Sequence, residues 1–257
     1  MAILEGLTPP PRKVMTLFYL IDTSGSMSGS KIQQVNSAIE EVMAQLDDIS
    51  RNNDDAEIKI AVLTFDNKVE WQTPRPMSPN DFNMGTLVAN GLTYLGKACT
   101  ELEAKLSRTE FLNTKAGAYP PIILLLSDGA PSDNFESGLS KLKSNNWFKR
   151  SIKIAFAIGH DADRDVLSRF TGSKEAVIDV NNAQVLKDMI MKVSVITSEF
   201  QSRSKDSNAE TDETKVAEKL VENAKNEYIE EKSSGAAPDP FLKRIFSDPA
   251  DEWEDKW

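Results

Sequence analysis

The sequence predicts a doubly wound α/β fold, a mainly parallel sheet with helices on both faces, followed by a helical or disordered acidic tail. Three observations lead there. Leu17 to Ile21 and Ile122 to Leu126 are apolar runs without polar alternation, the pattern of strands buried on both sides of a parallel sheet. Both runs end in an aspartate, Asp22 and Asp128. Between the strands lie segments with apolar residues at helical spacing, and strand–helix alternation of this length implies βαβ units.

Gly6 to Lys13, with Pro9, Pro10 and Pro11, reads as an extended leader, because proline supplies no ladder donor. Val14 to Ile21 is the first strand. Ser28, Gly29 and Ser30 open a helix through about Ile49, whose Ile32, Val35, Ile39, Val42, Met43 and Leu46 share one face. Ile58 to Phe65 is the second strand, and Asp66 to Lys68 turns it into Val69–Trp71, short enough for an antiparallel edge. Past a proline-bearing loop, a helix is expected from about Tyr94 to Arg108, burying Leu95, Ala98, Cys99, Leu102 and Leu106, with Thr93 at its start. Phe135 to Asn145 is helical, with Trp147 and Phe148 as packing residues, and Ile152 to Gly159 is a strand. Asp165 to Phe170 gives a short helix capped by Asp161 or Asp163, Ala176 to Val180 an edge strand, and Asn181 to about Phe200 the closing helix.

Chemistry concentrates where the first strand stops. Asp22, Ser24 and Ser26 supply one carboxylate and two hydroxyls, with Gly25 allowing a tight turn. Such hard oxygens suit magnesium, manganese or calcium, although the same residues also describe a turn that caps a helix. In open α/β sheets ligands bind at the carboxyl ends of the strands. The strand ending at Asp128 delivers a second carboxylate to that edge.

Asp22-Thr23-Ser24-Gly25-Ser26 resembles the Asp-x-Ser-x-Ser signature of von Willebrand factor A domains, and the order of elements from about Val14 to Phe200 matches their layout. The resemblance implies a metal-ion-dependent adhesion site. Ser24, Ser26 and Thr93 would coordinate the cation directly, and Asp22 and Asp128 directly or through water. Mg2+ is the expected ion, with Mn2+ or Ca2+ as alternatives. Leu92 departs from the glycine often found before the threonine. Three stretches, 91–98, 128–133 and 157–163, look more narrowly like the TerY-type bacterial proteins of tellurite resistance and stress. That likeness implies an adaptor or scaffold with kinase or phosphatase partners.

A ligand set rich in neutral hydroxyls leaves the cation net positive, so a partner's Asp or Glu is attracted to complete its shell. The expected function is therefore non-catalytic, metal-dependent protein binding. One competing reading is a metal-dependent phosphoester hydrolase; another is a regulatory subunit of an AAA+ or chelatase-like assembly. A HAD-type phosphatase needs a second aspartate where Ser24 stands, and Gly25 to Lys31 lacks phosphate-loop spacing. His160 is the only histidine and has no Gly-x-Ser-x-Gly partner.

Composition narrows the partners. A net charge of −10 argues against nucleic acid and anionic membranes. Cys99 alone cannot form an internal disulfide or a thiolate zinc site. The N-terminus has no secretory pattern, so a cytoplasmic location is expected. The expected organisation is a leader over 1–13, the domain over 14–200, and a linker, charged helix and acidic tail over 201–257. A stripe of Val216, Leu220, Ala224 and Tyr228 marks that helix. Beyond it, Phe241, Leu242, Phe246, Trp253 and Trp257 suggest a docking element acting on a partner or folding back in cis, against the alternative of a disordered extension.

Overall fold

The computed structural model describes residues 11–54, 56–203 and 212–233, without the side chains of 195–203 and 231–233. The chain runs β1 (Lys13–Asp22), α1 (Ser30–Arg51), β2 (Ala56–Phe65), β3 (Val69–Trp71), α2 (Leu95–Lys105), β4 (Ile122–Ser127), α3 (Phe135–Ser144), α4 (Asn146–Lys149), β5 (Ile152–Ile158), α5 (Arg164–Thr171), β6 (Val177–Val180), α6 (Ala183–Arg203) and α7 (Glu213–Ser233). The six strands lie in the order β3-β2-β1-β4-β5-β6, all neighbours parallel except the β2–β3 pair.

Strand alternation sends Leu17, Tyr19 and Ile21 into one apolar cluster with α1, α6 and α7. The intervening Phe18 and Leu20 face a second cluster built with α2, α3 and α5. Helices on both faces thus explain why β1 and β4 carry almost no polar residue. Cys99 and Phe148 are buried in the second cluster, and Trp147 packs against that cluster half-buried.

Several boundaries differ from those predicted. Lys13 is already the first residue of β1. A single 3-10 turn, Gly25–Met27, precedes α1, so the helix begins only at Ser30. α2 stops at Lys105 because Leu106 leaves helical geometry, its N–H shared between the Leu102 and Glu103 carbonyls. Asp163, rather than Asp161, caps α5 by accepting a bond from Val166 N–H. The charged helix α7 packs on α6 and β5, and its Ala217, Leu220, Val221, Ala224 and Tyr228 enter the first cluster. The stripe expected from the sequence, Val216, Leu220, Ala224 and Tyr228, lies on this inner side, and Ala217 and Val221 widen it.

The topology positions the site. From β1 the chain winds outward to β2 in one direction, then returns to place β4 on the other side of β1. The loops after β1 and β4 therefore leave in opposite directions and open a crevice at the strands' carboxyl ends. Leu20 pairs with Leu125 and Ile21 with Leu126, so one further step sets Asp22 opposite Ser127.

Candidate metal centre

Asp22 ends β1 fully buried. Its Oδ1 accepts the Ser24 N–H at 2.8 Å and its Oδ2 accepts the Ser127 hydroxyl at 2.6 Å. Ser127 in turn accepts the Gly129 N–H at 2.7 Å, which ties the turn after β4 to the carboxylate of β1. Burial pushes Asp22 up to about 6, against the lowering effect of the Ser127 and Ser24 hydrogen bonds, and the charge of Asp128 adds to the rise. At neutral pH the carboxylate is mainly ionised inside a poorly solvating edge, a situation that a cation relieves.

The loop from Ser24 to Met27 turns the hydroxyls of Ser24 and Ser26 together, their oxygens 3.0 Å apart. Oxygens in adjacent positions of an octahedral shell at ~2.1 Å from magnesium stand about 3 Å apart. The pair therefore has the spacing of two ligands as well as that of a hydrogen bond. Ser24 is buried whereas Ser26 is exposed, so the oxygens run from the interior to the surface.

Asp128 follows β4 directly and is buried. Lys31 Nζ donates to its Oδ2 at 3.1 Å, while its Oδ1 is buried and accepts no hydrogen bond. A buried carboxylate oxygen without a partner costs about 1–3 kcal/mol or more, which makes it the strongest sign that an ion belongs here. Gly129 is needed beside it: φ is +79°, and a Cβ would meet the Asp163 carbonyl oxygen at 2.8 Å.

Thr93 reaches this edge through backbone ties. Asn90 N–H donates to the Thr23 carbonyl at 2.8 Å and Gly25 N–H to the Gly91 carbonyl at 3.0 Å, joining its loop to that of Ser24. Ser132 N–H donates to the Thr93 carbonyl at 2.8 Å, and Ser132 Oγ accepts the Thr93 N–H at 3.3 Å. Asp133 then holds the first turn of α2 by accepting Gly96 N–H and Lys97 N–H, each at 2.8 Å. Thr93 itself is buried. Leu92 does not distort the turn, because Gly91 takes the positive φ of +77° and Leu92 points to solvent.

The structure thus collects Asp22, Ser24, Ser26, Thr93 and Asp128 on three interlocked loops. Among the described residues no cluster of three or more His, Cys, Asp or Glu has metal-binding form, so a site here depends on hydroxyls as well as its two carboxylates. Sequence reasoning missed Ser127 and Lys31. A serine closing an otherwise apolar strand was a usable signal for Ser127; a lysine in the first turn of a charged helix gave none for Lys31. Phe241, Leu242, Phe246, Trp253 and Trp257 lie outside the described residues.

Relatives agree with this arrangement at the level of the fold. The inter-alpha-trypsin inhibitor heavy chain H2 of Sus scrofa is 28% identical over 190 residues, 67% of this chain and 18% of the relative. The human heavy chain H4 is 30% identical over 136 residues, 50% of this chain and 13% of the relative. The chain thus spans less than a fifth of these curated relatives, and as animal proteins they lend nothing to the narrower TerY-type likeness. Among solved structures, proximal thread matrix protein 1 from the mussel byssus, described with a zinc-occupied MIDAS motif, superposes with a TM-score of 0.55 at 18% identity, covering 73% of this chain and 48% of that one. A von Willebrand factor type A protein from Catenulispora acidiphila gives 0.54 at 18%, covering 72% and 42%. The model of the von Willebrand factor type A domain matches residues 17–192, which span all the candidate ligands, and this chain belongs to that family.

Proposed function

We propose that the protein is a metal-dependent protein-binding module that captures an acidic side chain of a partner through a divalent ion held by Asp22, Ser24, Ser26, Thr93 and Asp128. The observation that carries this reading is the unpartnered, buried Oδ1 of Asp128 at the same edge as the Asp22 carboxylate and the paired hydroxyls. Bound there, the ion would supply an electrophilic centre for a partner's carboxylate. The protein's own groups do the remaining work: Ser127 and Ser24 N–H fix the Asp22 carboxylate, and Ser132 and Asp133 hold the Thr93 loop. Mg2+ is the proposed ion on the strength of the oxygen-only donor set; zinc in the related motif of the mussel protein supports a divalent cation generally.

The rim adds a selectivity element. Val88 and Leu92 are the exposed large hydrophobic residues among those described, 75% and 50% accessible, and both flank the segment bonded to Thr23 and Gly25. The preferred partner thus presents an aspartate or glutamate beside an apolar side chain. Val88→Ser with Leu92→Ser is expected to leave metal affinity unchanged and to weaken such a peptide about tenfold. An unaltered peptide affinity would remove the rim from the proposal.

A setting in bacterial stress signalling with a kinase or phosphatase partner in the cytoplasm extends this reading, supported only by the TerY-type loops. Among the described residues no helix is long and apolar enough to cross a membrane. Calorimetric titration with magnesium, manganese and calcium tests the function. Saturable binding abolished by Asp22→Ala and Thr93→Ala, with no phosphoester turnover in the same samples, is the expected result. Metal-dependent turnover lost with Asp22→Ala would make the protein an enzyme instead.

A further inference from the structure

We infer that Lys31 is a tethered cation that competes with the divalent ion for Asp128, stabilising the metal-free edge and setting the affinity for metal. This rests on the metal site proposed above and concerns its control. Lys31 lies in the first turn of α1, immediately after the Ser24–Met27 loop. A positive side chain there opposes the helix dipole, and that turn contains no acidic residue to offset it. Lys31 instead reaches across to the loops after β4 and β5. Its ammonium stands 3.1 Å from Asp128 Oδ2 and 2.7 Å from Asp161 Oδ1.

The surroundings are fitted to this reach. Gly159, just after β5, takes a φ of +91° that favours glycine, and the lysine stem passes over it, with Lys31 Cε 2.5 Å from where a Cβ would stand. Lys31 is 16% exposed and Asp128 3%, so their pairing is partly shielded from water, whereas Asp161 is 72% exposed. The ammonium is thereby held between a buried carboxylate and a solvated one. A divalent ion using Asp128 Oδ1 must share that carboxylate with a second positive charge, and the two repel at short range. Metal binding and the Lys31–Asp128 pair are consequently negatively coupled. Asp161 moderates the competition by drawing the ammonium outward.

Two substitutions with opposite expected signs test this in the full-length protein, read by calorimetric titration with magnesium and manganese and by thermal melting with and without metal. Lys31→Met is expected to bind metal about tenfold more tightly while its metal-free form melts at a lower temperature, and Lys31→Arg should restore both properties. Asp161→Asn, at a solvated position, is expected to weaken metal binding several-fold because the full ammonium charge then bears on Asp128. A Lys31→Met protein that loses stability without gaining affinity, or an Asp161→Asn protein with unchanged affinity, would overturn the inference and leave the metal site standing. Binding absent from wild type but present in Lys31→Met would support it strongly. If neither binds, the metal site itself falls, and the inference with it.

Discussion

The two edges of the sheet both bury charge, and they treat it differently. At the carboxyl edge, Asp22 and Asp128 are negative groups whose compensation is incomplete: burial lifts Asp22 to about 6, and one oxygen of Asp128 has no donor. At the amino edge, Lys153, second residue of β5, is also buried and also shifted by that burial, but its ammonium has acceptors. Its ammonium donates to the Ser151 carbonyl at 2.7 Å and the Phe148 carbonyl at 3.2 Å, lies 5.1 Å from the Phe148 ring centre, and feels Glu213 and Asp212 at the start of α7. The contrast shows that a buried charge is not in itself a sign of function. What marks a ligand site is a buried polar atom left without a partner, here the Oδ1 of Asp128.

Asp22→Asn should show the largest effect. The amide retains Oδ1 for the Ser24 N–H and removes the buried charge, but its nitrogen cannot accept the Ser127 hydroxyl, so gain and loss offset and the metal-free protein should melt close to wild type. Affinity for magnesium should fall at least about 100-fold, on the order of 3 kcal/mol. If affinity survived, Asp22 would be a structural carboxylate and the two edges would be equivalent. A large fall in metal-free melting temperature would also blur the distinction, by showing that the carboxylate and its Ser127 hydrogen bond stabilise the fold.

On the other side of the comparison, Leu220→Ala in α7 empties a position of the first apolar cluster. It should destabilise the protein by about 2–4 kcal/mol, measured by denaturant unfolding, with metal affinity of the folded protein unchanged. A small loss would mean that α7 adds little to the core; a change in metal affinity would mean that α7 communicates with the carboxyl edge.

These two regions also differ in how much of them the sequence reveals. The alternation of buried strands and amphipathic helices made the fold legible, because a strand covered on both faces has little choice but to be apolar. Asp22, Ser24, Ser26 and Asp128 stood out because polar groups break those runs at one end. Thr93 was legible only through the family pattern, since three loops bring it to the edge by backbone hydrogen bonds that no local spacing encodes. Lys31 was invisible for a related reason: its partners lie 97 and 130 positions away. Ala217 and Val221 of α7 escaped notice because small residues amid charge resemble a solvated helix until a neighbouring helix covers them.

Lys153→Met should show the smallest effect and the most informative pH dependence. Burial lowers the lysine from its ordinary 10.5 to about 8, although Glu213 and Asp212 push the other way. Below about pH 8 the ammonium is charged in the folded and unfolded chains alike, and the cost of burying it is fully present. From about 8 to 10.5 the folded chain releases its proton while the unfolded chain keeps it, so that cost fades, and above 10.5 it is gone. Methionine keeps the packing on Phe148 but leaves the Ser151 carbonyl without the donor it had, which offsets part of the gain. The substitution should therefore stabilise the protein by roughly 1 kcal/mol at pH 7, with the advantage vanishing or reversing as pH rises to 10.5. Denaturant unfolding at pH 7, 9 and 10.5 measures this difference. A difference independent of pH would show that Lys153 carries its charge without penalty, making the acidic start of α7 a complete counterion; a difference that grows with pH would reverse the assigned sign of the burial cost.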